Sequence, residues 1–119
     1  MLAYSDGVEG IGQMVADTFD TGSEIVIPVV CLLEAYRILD HTEHHRLGPL
    51  RANPVIRIAD VFDGPGDAPP IIGGLAVTAS RLGAAHAIWM AMCGRAAVVT
   101  SQPDQIRSVL GDSWPLVEV

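Results

Sequence analysis

Four short runs of β-branched and other apolar residues punctuate this chain, and the stretches between them are built from helix formers. That alternation restricts the fold more than any other feature. The runs are Glu24 to Ile27, Pro54 to Ala59, Ala96 to Thr100 and Leu116 to Val119, each of strand length and composition. Pro28 closes the first run and opens a helix over Val29 to Leu39, because a first-turn proline loses no helical hydrogen bond. Ile71 to Leu82 and Ala84 to Cys93 are Ala-rich and helical, with Gly83 as the break, and Pro103 to Leu110 is a short helix. Strands alternating with helices predict an α/β fold: a mainly parallel central sheet, helices on both faces and right-handed crossovers. Ligands in such folds gather beyond the carboxyl ends of the strands, so the informative residues should follow residues 27, 59 and 100.

The rest of the chain supplies the connections. Residues 1–23 read as helical with a break at Ser5-Asp6-Gly7, since Val8, Ile11, Val15 and Phe19 recur at helical spacing and Gly22 suits a cap. Asp40 to Arg51 turns polar, a helix end that must stop near Gly48-Pro49. Asp63 to Pro70 is a loop by its glycines and prolines. The 119 residues make one domain. The 50% hydrophobic and 18% charged residues argue against a disordered chain, with the Asp63 to Pro70 loop the place where local disorder is compatible with the composition. No apolar run approaches the roughly 18 to 20 residues of a membrane span, and no basic-then-apolar leader opens the chain. These features predict a soluble, cytoplasmic protein that binds no membrane.

Charge and cysteine count exclude further classes. Fourteen acidic residues against seven arginines give a net charge of −7, which repels a polyanion and rules out capture of nucleic acid by the whole surface. A local arginine cluster beside an acidic cleft stays compatible with that field. Cys31 and Cys93 lie in separate apolar runs and form neither a redox pair nor a zinc framework, so both are expected as reduced, buried, inert thiols.

Two places carry candidate chemistry. Glu34 lies within the first helix after Pro28, either solvated and paired with Arg37 three positions on, or a carboxylate aimed at the strand ends. Thr100-Ser101-Gln102-Pro103-Asp104 closes the third strand and opens a helix. Its hydroxyls and Asp104 suit an ordinary helix start, and equally a polar mouth of the sheet. His41 and His45, with Glu43 and His44 between them, would share an α-helical face as a transition-metal pair or mark a polar helix end. Trp89 reads as core, and Tyr36 and Trp114 as packing or base-stacking residues. Arg37, Arg46 and Arg51 form the densest basic stretch. Gly7, Gly10 and Gly12 lack the preceding strand that a phosphate loop requires.

Two segments carry a family resemblance. Residues 25–37, IVIPVVCLLEAYR, resemble the strand, proline, helix and glutamate of PIN-domain proteins. Residues 85–92, AHAIWMAM, with residues 97–106, AVVTSQPDQI, resemble that family's closing half and its Thr-Ser-Asp-Pro-like turn. The likeness spans about residues 1–110 in order and is nearest to VapC-like toxins of bacterial toxin-antitoxin pairs. It implies a three-layer domain that cuts single-stranded RNA with Mg²⁺ or Mn²⁺ held by converging carboxylates, the metal activating water. Glu34 matches the family's helical glutamate. Carried over in this way, Glu34 and Asp104 are the catalytic candidates, Glu34, Asp104 and His86 the metal candidates, and Thr100, Ser101 and Arg37 the substrate contacts.

The departures from the family pattern set the functional expectation. The family's opening strand, with its aspartate, falls before Met1, so a central strand is expected to be missing. His86 stands where an aspartate is usual, and Gln102 occupies the turn. One or two carboxylates hold hydrated Mg²⁺ weakly, and histidine suits Mn²⁺ or Zn²⁺ better. The expectation is an endoribonuclease-like protein with reduced or no activity, or a non-catalytic module that binds an antitoxin, RNA or its own copy. Open strand edges further predict homo-oligomers.

Overall fold

In the computed structural model, residues 24–118 are described. The helix expected over residues 1–23 and the last strand residue, Val119, lie outside them. Strand β1, Ile25–Pro28, leads directly into helix α1, Val29–Ile38. A 3-10 helix, His41–Leu47, and the short helix α2, Gly48–Ala52, then carry the chain to β2, Ile56–Ala59. Two longer helices follow, α3 at Ala68–Ala79 and α4 at Leu82–Gly94. The chain closes with β3 at Val98–Thr100, α5 at Pro103–Leu110 and β4 at Leu116–Glu118.

The α/β alternation and the parallel pairing agree with the sequence. β1 pairs with β2 in parallel, Ile25 beside Ile56 and Pro28 beside Ala59. β3 pairs with β4 in parallel, Val98 beside Leu116 and Thr100 beside Glu118. A single central sheet is not what forms among the described residues. Two separate two-stranded sheets stand in its place, each a strand–helix–strand unit.

Helix α4 joins the two units, packing against α1, α3, α5, β1 and β3. Its sequence, LGAAHAIWMAMCG, carries no formal charge, and a helix apolar all round belongs in an interior. Ile88, Ala84 and Ala91 pack with Ala79, Val98 and Ile106 on the side of β3 and α5. Ala85 packs with Ala68 and Ile72 of α3. Across β1 and β2, a third cluster gathers Ile27, Leu32, Ala35 and Leu47. Trp89 packs beside Ala85 and Ile72, as its apolar surroundings predict. Trp114 is a packing residue whose indole donates to the Ala96 carbonyl at 3.0 Å.

Boundaries moved where local signals had two meanings. The break between α3 and α4 falls at Ser80 and Arg81, not at Gly83. Ser80 takes the left-handed conformation, φ 69°, and caps α3 through its N–H to the Ala76 carbonyl at 2.9 Å. The two helices diverge there by 117°. Asp40 accepts from the Thr42 N–H at 3.1 Å, ending α1 before the histidines, which wind as a 3-10 helix. Pro49 sits inside α2, where its missing N–H costs nothing. Among the described residues no single helix is long and apolar enough to cross a membrane.

Candidate functional site

Parallel pairing brings the ends of β1 and β2 together, and α4 arrives with its first turns against them. Three α4-region residues meet α1 there. The Cys31 thiol donates to the Gly83 carbonyl at 3.0 Å. The Glu34 carboxylate lies against Gly83, in the space a side chain on that residue would need. Cys31 and Glu34 are three positions apart on α1 and so share its inner face. Gly83 is thus a point of close helix approach, which is why it sits within a helix and does not end one.

Glu34 does not pair with Arg37, which is exposed on α1. Its partner is Arg81, the residue that precedes α4, with Nε 3.8 Å from Oε1 and side chains only 22% and 18% exposed. The left-handed Ser80 positions that arginine. Glu34 Oε1 and Arg81 Nε and Nη1 are buried with no hydrogen-bond partner. The pair is held by charge at a longer range than a direct bond.

His86 is fully buried on α4. Its Nδ1 accepts from the Val30 N–H at 3.4 Å, so the ring locks onto the start of α1. Nε2 has no hydrogen-bond partner within bonding geometry, although the Asp60 backbone lies near enough to favour its protonated form. Burial dominates and lowers the His86 pKa; that backbone and the Asp60 and Asp63 carboxylates oppose the shift. The ring therefore spans the carboxyl ends of β1 and β2 as a neutral imidazole.

Asp60 and Asp63 line the same strand ends, and their own loop engages them. The Asp60 N–H donates to Asp63 Oδ2 at 2.8 Å and the Phe62 N–H to Asp60 Oδ1 at 3.0 Å. Arg57 Nη1 stands 3.5 Å from Asp63 Oδ2. The sequence placed informative residues just after residue 59, which is where these carboxylates fall, but gave no reason to join them to His86.

The other predicted place stands apart. Thr100 ends β3, in the second sheet, and its hydroxyl accepts from the Gln102 N–H at 2.9 Å, a local turn before α5. Ser101 is half-buried beside it, and Asp104 is exposed in the first turn of α5, where a carboxylate suits the helix dipole. The structure brings Glu34 and His86 to one junction. It records no hydrogen bond or ion pair between that junction and Thr100 or Asp104.

Mg²⁺ needs several oxygen ligands in near-octahedral array. Among the described residues no group of three His, Cys, Asp or Glu side chains is placed to hold a metal ion. Glu34 faces an arginine and one His86 nitrogen is already engaged, so the donor set as arranged does not fit a divalent cation. Compared with known protein families, curated proteins and solved structures, the chain matches none.

Proposed function

We propose that the chain is a PIN-like domain related to VapC-type endoribonuclease toxins, with cleavage of single-stranded RNA reduced or absent. What supports this is the element order, a strand–proline–helix carrying Glu34 and a closing β3–turn–α5 with Thr100, Ser101 and Asp104. The observation that carries the loss of activity is the Arg81 guanidinium on the Glu34 carboxylate. In this reading any Mg²⁺ or Mn²⁺ at Glu34 would bind weakly, because Asp104, the second carboxylate candidate, lies apart on α5 and His86, the third candidate, is engaged by the Val30 N–H. Arg37, exposed on α1, would contact RNA phosphates. Free Cys31 and Cys93 suit a reducing, cytoplasmic setting.

The test is incubation of a mixed RNA pool with Mn²⁺ and wild-type or Glu34→Ala protein. The expected result is no metal-dependent cleavage that the substitution abolishes. Cleavage present in wild type and lost in Glu34→Ala would overturn the impaired reading and establish a working nuclease.

A binding role is favoured by apolar side chains left on the surface. Val77 is 84% exposed and Phe62 72%, with Leu33 and Ile38 also outside. Helix α3 has no formal charge. In this second reading the domain acts by docking an antitoxin-like segment or another copy of itself. Sedimentation across a wide concentration range tests self-association, and a strictly monomeric protein throughout would remove the own-copy form of this reading.

A further inference from the structure

We propose that Arg81 is a built-in counter-ion that stands in place of a divalent cation at Glu34 and keeps the pocket closed to Mg²⁺ and Mn²⁺. The inference rests on the metal-nuclease-like reading above and adds a cause for its impairment that lies outside the missing carboxylates. Three observations carry it. The Glu34 carboxylate turns inward against Gly83, away from open solvent. Arg81 Nε lies 3.8 Å from it, with both side chains largely buried. Among the described residues Arg81 Nε and Nη1 and Glu34 Oε1 have no hydrogen-bond partner, so each group meets the other through charge alone at these atoms.

The arginine also has a geometric reason to stay. Ser80 holds the left-handed turn that ends α3, and Arg81 adopts extended backbone, φ −155°, immediately before α4. The guanidinium is thereby delivered to the junction by the backbone path. An arginine stays charged at any working pH, and a fixed positive charge a few ångströms from a carboxylate repels an incoming dication more strongly than it attracts the carboxylate. Removing it leaves the Glu34 carboxylate without that counter-charge. His86 adds no ligand, because its Nδ1 accepts from the Val30 N–H and its Nε2 therefore carries the ring proton. Mn²⁺, which takes carboxylate oxygens and water, is the probe for that carboxylate.

The test is Mn²⁺ binding, by calorimetry and by the electron paramagnetic resonance of free Mn²⁺, to wild type and four variants. Wild type and Glu34→Gln should give the same weak binding from surface carboxylates. Arg81→Met should gain one site at least about tenfold tighter, and Arg81→Met with Glu34→Gln should lose it. Arg81→Lys keeps the charge and should stay closed, which a merely structural role for the arginine would not predict. If Arg81→Met is unfolded without metal, refolding on addition of Mn²⁺ supports the proposal and failure to refold overturns it. Glu34-dependent Mn²⁺ binding in wild type, or no gain in Arg81→Met, also overturns it. The RNA cleavage assay is independent of these titrations, so the proposal fails separately from the nuclease-like reading.

Discussion

The Nδ1 atom of His86, in the interior of α4, accepts a hydrogen bond from the backbone N–H of Val30 at 3.4 Å and so ties the central helix to the start of α1. This requires a ring that is neutral at Nδ1. Burial favours that state and lowers the His86 pKa from its ordinary 6.5. In the unfolded chain the same imidazole takes up a proton near pH 6.5. Between the lowered value and 6.5 the unfolded state therefore binds more protons, and stability rises with pH across that window.

Acidification below about pH 6.5 should thus weaken the fold, by at most about 1.4 kcal/mol per pH unit from this residue. Denaturant melts between pH 5 and 7.5 measure it. His86→Asn keeps an acceptor near the Nδ1 position and removes the titration, so its slope should be shallower. Equal slopes in wild type and variant would refute the assignment.

The contact of Gly83 with Glu34 gives a prediction whose sign depends on background. A methyl group at position 83 would enter the space of the Glu34 carboxylate and push it off Arg81. Gly83→Ala should destabilise the wild type by roughly 1 to 3 kcal/mol, as expected for disturbing a partly buried charge pair. In a Glu34→Ala background the obstruction is gone and the higher helix propensity of alanine remains, so the same change should stabilise by up to about 1 kcal/mol. Thermal or urea melts of the four proteins decide it. A Gly83→Ala effect that is the same in both backgrounds would show that the carboxylate does not occupy this space.

That pair also marks how far the sequence reaches. β1 with α1, β2, and β3 with α5 were legible because their signals are local: β-branched runs, a first-turn proline, a strand followed by a cap. Gly83 was read as a helix break, yet it serves a close approach between helices, and a sequence shows the missing side chain without saying which use it has. The break went to Ser80, whose left-handed turn is fixed by packing of α3 against α4. Glu34 has Arg37 at helical spacing and Arg81 far along the chain. Spacing favoured the first, and folding chose the second, because only the second lies on the buried face. Asp60 and Asp63 join His86 only through the parallel pairing of β1 with β2, which no local pattern encodes.

The two cysteines should separate by reactivity. Cys31 is buried, its thiol donates to the Gly83 carbonyl at 3.0 Å, and burial pushes its pKa above the ordinary 9.0. Cys93 is exposed. Thiolate is the reactive form, so an aromatic disulfide reagent at pH 8 should modify one thiol quickly and the second only on unfolding. Mass mapping should place the fast label on Cys93. Comparable rates at both positions would mean that α1 and α4 do not close over Cys31.

The histidines after α1 provide the last test, because their local helix type decides whether they converge. In an α-helix His41 and His45 would share a face. The segment instead winds as a 3-10 helix, with three residues per turn, and places His41 beside His44, ring centroids 5.4 Å apart. His44 Nε2 lies 2.9 Å from the Tyr36 carbonyl, and the Tyr36 ring meets His44 edge-on at 5.1 Å. His45 Nδ1 lies 2.8 Å from the Thr42 carbonyl. Because a carbonyl only accepts, each of these nitrogens carries the proton. The opposite ring nitrogens keep their lone pairs, but among the described residues no three His, Cys, Asp or Glu side chains are placed to hold a metal ion. Zn²⁺ titration should therefore show no micromolar site that depends on this segment, with His41→Ala and His45→Ala indistinguishable from wild type. Tight binding lost in both variants would show that His41 and His45 converge on the metal, as they would if residues 41–47 rewound as an α-helix.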